Sequence, residues 1–377
     1  MSKIPFNIPG IVGNEYEYIK QTIEEMHISG DGIFTKRVHR FLEEQLNVNK
    51  VLLTTSCTHA LEMSAILLDI QPGDEVIVPS FTFVSSVNAF VLRRAHPVFI
   101  DIHNDTLNLD ETQLERLITN KTKVIIPVHY AGVGCEMDAI LRIAKENDIF
   151  IVEDNAHGLF AKYKGKYLGT FGDFATQSFH ETKNFTSGEG GALLINNSKY
   201  IERAEIIREK GTNRSRFFRG QIDKYTWVDV GSSFLPSDIL AAFLYAQLEK
   251  YELIQEKRKN VWEYYHTHLN EWAIANNFRQ PYIPSHCEQS FHMYYLICPS
   301  LEIRQALIEF LKSNDVHSVF HYLSLHISDM GKKFGGKNGD CPITEDISDR
   351  LLRLPFYFQL SENDQNQVIE LIQSFHV

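Results

Sequence analysis

Long hydrophobic runs are missing from this sequence. The longest uncharged apolar stretch, residues 239–246, falls far short of the roughly 20 residues that a helix needs to cross a bilayer. The first residues, Met1-Ser-Lys-Ile-Pro-Phe-Asn, show no apolar core of a secretory signal, so a cytoplasmic protein is expected. Cysteine is scarce. Five are scattered (Cys57, Cys135, Cys287, Cys298, Cys341) and no Cys-x-x-Cys pair occurs, which excludes a zinc framework or a disulfide scaffold and suits free thiols. Positive charge is also in deficit: 37 Lys and Arg against 48 Asp and Glu leave a net charge of −11. That argues against a nucleic-acid partner, though not against one anionic ligand in a locally basic pocket.

What is present is an ordinary globular balance, 44% apolar and 23% charged over 377 residues, enough for a large domain and a smaller one. Through the first two-thirds, short apolar runs alternate with helical periods. Strands are expected at 51–53, 75–78, 97–100, 123–128 and 150–152, with helices at 60–68, 85–92 and 137–145. Such alternation predicts an α/β fold with a mostly parallel sheet covered on both faces. From 237 to about 272 the pattern reads as one long helix. After it, strands at 293–297 and 316–322 and helices at 301–313 and 364–375 predict a smaller α+β domain. The expected division is 1–250 and 251–377. Gly331 to Asp340, rich in Gly and Lys, is expected to be a mobile surface loop.

Ligands of open α/β sheets bind at the carboxyl ends of the strands, and three of those ends carry chemistry. Thr54-Thr55-Ser56-Cys57-Thr58 lies between a strand and a helix, where hydroxyls and free N–H groups suit a phosphate; a plain helix cap is the bland alternative. Glu153-Asp154 ends an apolar strand, and a buried carboxylate there needs a partner such as a protonated heterocycle nitrogen; a surface cap is equally open. Ser178-Phe179-His180-Glu181-Thr182-Lys183 places a lysine among small residues, where a desolvated amine condenses with an aldehyde. Alone it is a solvated charge. Together, in that order, a phosphate cradle, an Asp and a Lys are what pyridoxal 5′-phosphate (PLP) requires. Gly132-Val133-Gly134-Cys135-Glu136-Met137 lacks the third glycine of a dinucleotide fingerprint, and no P-loop or His-Glu-x-x-His occurs.

Along essentially its whole length the chain resembles the nucleotide-sugar aminotransferases, a branch of the aspartate-aminotransferase-like (fold-type I) PLP enzymes. The resemblance rests on Ser29-Gly30-Asp31-Gly32, Pro72-Gly73-Asp74-Glu75-Val76, Val128-His129-Tyr130-Ala131-Gly132, Glu153-Asp154, Ser178-Phe179-His180 with Lys183, and Gly188-Glu189-Gly190-Gly191. It implies that Lys183 carries the cofactor and acts as catalytic base, that Asp154 pairs with the pyridine nitrogen, and that His157 lies near the ring oxygen. By the same resemblance Phe83 stacks on the ring, and Cys57, Thr58 and Ser178 hold the phosphate. The family's Gly-x-Asn-x-Arg segment appears as Gly231-Ser232-Ser233-Phe234-Leu235, so Ser233 stands where Asn reaches a neighbouring subunit's cofactor.

Stretches 179–184, 208–215 and 217–221 are similar to those of transaminases that aminate dTDP-4-keto-6-deoxyglucose at C4, giving the galacto product with L-glutamate as donor. A homodimer is implied as well. Arg214, Arg219 and Lys224 are candidates for the sugar nucleotide's diphosphate, with a solvated loop or subunit contact equally open, and His321 and Tyr322 are candidates near the substrate. No metal site is expected. Alternatives are the epimeric gluco product, a 3-amino sugar, and a non-catalytic sugar-nucleotide binder; a sugar dehydratase is disfavoured because such relatives carry His in place of Lys183.

Overall fold

The computed structural model describes residues 3–376. Its centre is a seven-stranded sheet in the order Lys50–Thr54, Gly191–Ile195, Phe174–Ser178, Phe150–Asp154, Thr122–Ile125, Glu75–Pro79, His96–Ile100. The Gly191–Ile195 strand alone runs against its neighbours, so the sheet is mixed but mostly parallel. The α/β expectation holds.

Alternation explains why these strands read as apolar runs. Leu52, Val76, Val78, Val124, Val152 and Leu193 enter the core on one face. Their neighbours Val51, Leu53, Ile77, Ile125, Ile151 and Leu194 enter cores on the other. Both faces are covered, so apolar residues dominate them. The Cys57–Leu67 helix covers the first face, started by Ser56, whose Oγ accepts from the His59 N–H at 3.1 Å.

A second, three-stranded sheet joins Tyr295–Ile297, Leu351–Arg353 and Val319–Phe320, with Leu351–Arg353 in the middle. It packs with the helices Leu301–Ser313 and Glu362–Ser374 on a separate core built around Tyr265, Leu296, Leu307 and Val368. Ile4, far away in sequence, belongs to this core. Among the described residues no helix is long and apolar enough to cross a membrane.

Two expectations fail locally. The helix expected from 237 to 272 is two helices, Asp238–Leu248 and Tyr251–Ala275, broken at Glu249 and Lys250. The apolar stripe continues across the break because Leu248 and Ile254 enter the same core, so periodicity cannot reveal it. The Gly331 to Asp340 segment is a surface loop only from residue 334 on, where it is turn and coil. Part of it lies in the helix Asp329–Lys333, capped by Ser328, and Gly339 N–H donates to Glu345 at 2.7 Å. A Cβ on Gly331 or Gly336 would strike the His326 carbonyl, so these two glycines permit close packing.

Candidate functional site

The carboxyl ends of the central strands open onto a cavity of about 510 Å³. Thr54, Asp154 and Ser178 end adjacent or near-adjacent strands there, as the topology requires. Gly191 begins the antiparallel strand and lies against the backbone of Ser56 and Cys57, where any side chain would collide. That close approach draws the start of the Cys57–Leu67 helix to the cavity wall. Ser56, Cys57 and Thr58 line it, with the Thr58 hydroxyl 2.8 Å from that of Ser85.

Asp154 is buried, and its charge is met by two donors. Ser86 Oγ donates to Oδ2 at 2.6 Å, and the Ala156 N–H donates to Oδ1 at 3.2 Å. Ser86 has one proton, given to the carboxylate, so Thr82 Oγ1, 2.8 Å away, is the donor of the next bond. Its neighbour Glu153 points to the opposite face and is wholly structural. There it accepts from the N–H groups of Gly169, Phe171 and Gly172 and meets His129 at 3.0 Å.

Lys183 projects into the same cavity. Burial lowers its basicity to about 8, against the opposing pull of Cys57 and Asp154 and with help from Arg353. The Cys57 thiol is pushed up by burial and by Asp154, so it stays protonated. His157 is held well below the usual imidazole range, chiefly by burial and then by Lys183 and Arg353. Its ring stacks on His292 with centroids 4.2 Å apart, and its buried Nδ1 has no protein partner. Phe83 is exposed at the mouth, 57% accessible, with its ring 6.3 Å from that of Tyr322. His321, 3.0 Å from the Tyr130 hydroxyl, and Tyr322 come from the second sheet's side and close the cavity.

The structure therefore brings together Cys57, Thr58, Phe83, Asp154, His157, Ser178, Lys183, His321 and Tyr322. It does not bring Ser233, Arg214 or Arg219 to them. Those three line a different surface cavity of about 800 Å³, with Asp31, Arg208 and Glu209. Arg219 is paired there with Glu205 at 2.8 Å, and Lys224 is exposed and lines neither cavity. Sequence reading missed Ser86, Thr82, Phe6 and Arg353. Ser85-Ser86, opening a helix directly after Phe83, was a visible signal; nothing local marks Arg353 or Phe6.

Residues 9–373 match the DegT/DnrJ/EryC1/StrS aminotransferase family. The chain belongs to that family. It is 30% identical to the GDP-perosamine synthase of Escherichia coli O157:H7, covering 100% of this chain and 99% of that one. An uncharacterized protein of Methanocaldococcus jannaschii, MJ1066, is 37% identical over 84% of this chain and 83% of its own. Among solved structures, the PLP form of the sugar aminotransferase Spr1654 from Streptococcus pneumoniae superposes with a TM-score of 0.91 at 29% identity, covering 99% and 98% of the two chains. The protein is thus a PLP-dependent aminotransferase of this family. Its cavity fits the cofactor: a buried carboxylate, an amine of lowered basicity, an unpartnered imidazole nitrogen and a helix start rich in N–H and hydroxyl donors share one enclosure.

Proposed function

We propose that this aminotransferase acts on a nucleotide-linked sugar, carrying the amino group of L-glutamate to C4 of dTDP-4-keto-6-deoxyglucose. The products are dTDP-4-amino-4,6-dideoxygalactose and 2-oxoglutarate. The observation that carries the reaction class is Lys183, an amine of basicity near 8 facing Asp154 in one buried cavity. The sugar class is supported by relatives named for GDP-perosamine and for spore coat polysaccharide biosynthesis. The dTDP reading rests on residues 179–184, 208–215 and 217–221. A GDP-linked sugar is the second reading, favoured by the names of the perosamine synthases.

In this reading Asp154, oriented by Ser86, would pair with the ring nitrogen, and Phe83 would stack on the ring. The unpartnered His157 Nδ1 would serve the ring oxygen, and the Ser56–Thr58 turn with Ser178 would hold the phosphate. Bound there, the cofactor supplies the aldehyde that accepts the amino group and the ring that takes up the electron pair left by proton removal. Lys183 Nζ, whose basicity is lowered to about 8 so that a neutral fraction is present near neutral pH, removes the proton from the donor's α-carbon. In the second half it returns a proton to the sugar C4 from one face, and that face sets the galacto outcome. His321 and Tyr322, just after the Val319–Phe320 strand, wall the cavity on the side of the second sheet.

The protein is proposed to work as a homodimer. Trp227, Phe218 and Met26 are 77%, 68% and 91% exposed around the second cavity and the N-terminal helices, an apolar surface that a second copy would cover. Ser233, Arg214, Arg219 and Lys224 are proposed to serve the partner's site. We place the protein in the cytoplasm, where five free thiols stay reduced. Incubation with L-glutamate and either dTDP- or GDP-linked 4-keto-6-deoxy sugar, followed by NMR of the product at C4, tests the reading. Amination of neither sugar would overturn it; amination of the GDP sugar alone would replace the first reading by the second.

A further inference from the structure

Lys183 enters the cavity, and the next residue, Asn184, is tied into a hydrogen-bonded network. Asn184 Nδ2 donates to the Ser290 carbonyl at 2.7 Å and to Gln255 Oε1 at 3.1 Å. A carbonyl only accepts, so the orientation of the amide is fixed and Oδ1 is left as its acceptor. Oδ1 lies 2.9 Å from His292 Nδ1, and that nitrogen must therefore carry a proton. Burial, and after it His157 and Lys183, hold His292 well below the usual imidazole range, so the ring is neutral. One form remains, with the proton on Nδ1 and Nε2 bare. The backbone here is pinned as well. Arg258 Nη2 donates to the His292 carbonyl at 2.6 Å, and its Nε donates to the Phe291 carbonyl at 3.0 Å.

The ring held in this way lies flat against His157, with centroids 4.2 Å apart and planes 17° from parallel. His157 has little else to orient it. Its Nδ1 is closed off from solvent and makes no hydrogen bond, so no polar contact at that nitrogen sets the ring's rotation. Tyr130 and His321 meet it at 70° and 34°, with centroids 6.0 and 6.2 Å away. Among the described residues His292 is the one ring that stacks on it. Charge on either imidazole is opposed by burial and by the neighbouring cations: Lys183 and Arg353 act on both, and Arg258 acts on His292. The pair therefore stacks as two neutral rings.

We propose that His292, oriented by Asn184, is a positioning residue that holds the His157 ring in register with the ring oxygen of the cofactor. The chemistry of PLP gives the arrangement its sense. Its aldehyde and its ring oxygen are carried on adjacent carbons of the pyridine ring, so the groups that serve them must be set against each other to within about 0.5 Å. Lys183 serves the aldehyde. Asn184, the next residue in the chain, sets the partner of the oxygen through His292 and His157. A movement of this backbone carries both groups together, and the spacing between amine and imidazole is kept. His292 acts through His157 alone, and it takes no proton in the reaction.

This assignment rests on the reading that places His157 at the ring oxygen, and one set of variants separates the two. A hydrogen bond donated to that oxygen stabilises its charged form, so losing the bond raises the pH at which the visible band of the holoenzyme titrates. The midpoint should rise by about one unit in His157→Ala and roughly half as far in His292→Ala. Asn184→Leu should shift it the same way, and His292→Phe, which keeps a flat ring, should recover part of the loss. The double variant His157→Ala/His292→Ala should shift no further than His157→Ala, because a residue that acts through another adds nothing once the other is gone. Additive shifts overturn the assignment. So does a wild-type midpoint in His292→Ala or Asn184→Leu beside a shifted one in His157→Ala, which leaves His157 in its place. An unshifted His157→Ala instead removes His157 from the ring oxygen. One measurement needs no cofactor and no turnover: NMR of cofactor-free wild-type protein carrying ¹³C-labelled histidine should show His292 with its proton on Nδ1 up to neutral pH and beyond, the signal being the one absent from His292→Phe. A proton on Nε2 would overturn the part given to Asn184.

Discussion

Ser86 Oγ lies 2.6 Å from Oδ2 of Asp154, and the Thr82 hydroxyl lies 2.8 Å behind it. The relay fixes the carboxylate's rotation, and among the described residues the carboxylate forms no ion pair, though it acts on Lys183 through space. Ser86→Ala removes one hydrogen bond to an ionised group, about 1.5–3 kcal/mol, so kcat/KM should fall by roughly 10- to 100-fold while the cofactor still binds. Asp154→Asn replaces the charge itself and should cost on the order of 1,000-fold. Steady-state kinetics on both variants, with the cofactor band recorded alongside, checks the order. A Ser86→Ala enzyme as impaired as Asp154→Asn would contradict it.

Lys183 gives a pH prediction with a definite sign. Its ammonium form is disfavoured, with protonation centred near 8, and only the neutral amine adds to an aldehyde. PLP capture by cofactor-free protein should therefore quicken as pH rises towards 8 and level off above it. Below 8 each unit should slow capture about tenfold, as the neutral fraction falls. Rapid-mixing absorbance measurements between pH 6 and about 10 would show this. Lys183→Ala and Lys183→Arg should both lose turnover; a variant with normal rate would remove Lys183 from its assigned role.

The large sheet was legible in part because burial on both faces imposes apolar runs such as Glu75–Pro79; the strands Phe174–Ser178 and Gly191–Ile195 went unread, and the antiparallel direction of the latter leaves no mark in composition. Lys183 and Asp154 were legible because motif context names them. Ser86 and Arg353 were not. The first acts only through Asp154, 68 residues away in sequence, and the second is defined by the absence of a partner. Absence of a partner is a property of the folded state. The Arg214 to Lys224 cluster shows the same limit: sequence counts its positive charges, but folding sets Arg219 against Glu205 and Arg216 against Glu202.

Glu153, adjacent to Asp154, should prove a stability residue. It is fully buried and takes two N–H donors on Oε1, from Phe171 and Gly172, at 2.7 and 2.8 Å. Oε2 takes the Gly169 N–H at 2.8 Å and lies 3.0 Å from His129. Glu153→Gln would turn an amide N–H₂ towards at least one of these donors, and Glu153→Ala would orphan all of them. Losses of about 2 and about 4 kcal/mol respectively are expected. Urea unfolding of the two variants measures them, and the residual folded enzyme should keep a near-normal KM for both substrates.

Ser233, Arg214 and Arg219 share a cavity from which Lys183 is absent, so in a monomer they could not assist it. A dimer resolves this if each copy's second cavity completes the other's first. The purified protein should then run at twice the 43.5 kDa of the chain. Complementation is the sharper measurement. A Lys183→Ala chain is mixed with a chain carrying Arg214→Ala, Arg219→Ala and Ser233→Ala. Random pairing makes about half of the dimers mixed, and each mixed dimer holds one intact site and one doubly damaged site. Two inactive preparations, co-expressed, should therefore recover about a quarter of wild-type activity. No recovery from two inactive parents would mean that each chain holds its site alone. Arg214, Arg219 and Ser233 would then be assigned to packing within their own protomer.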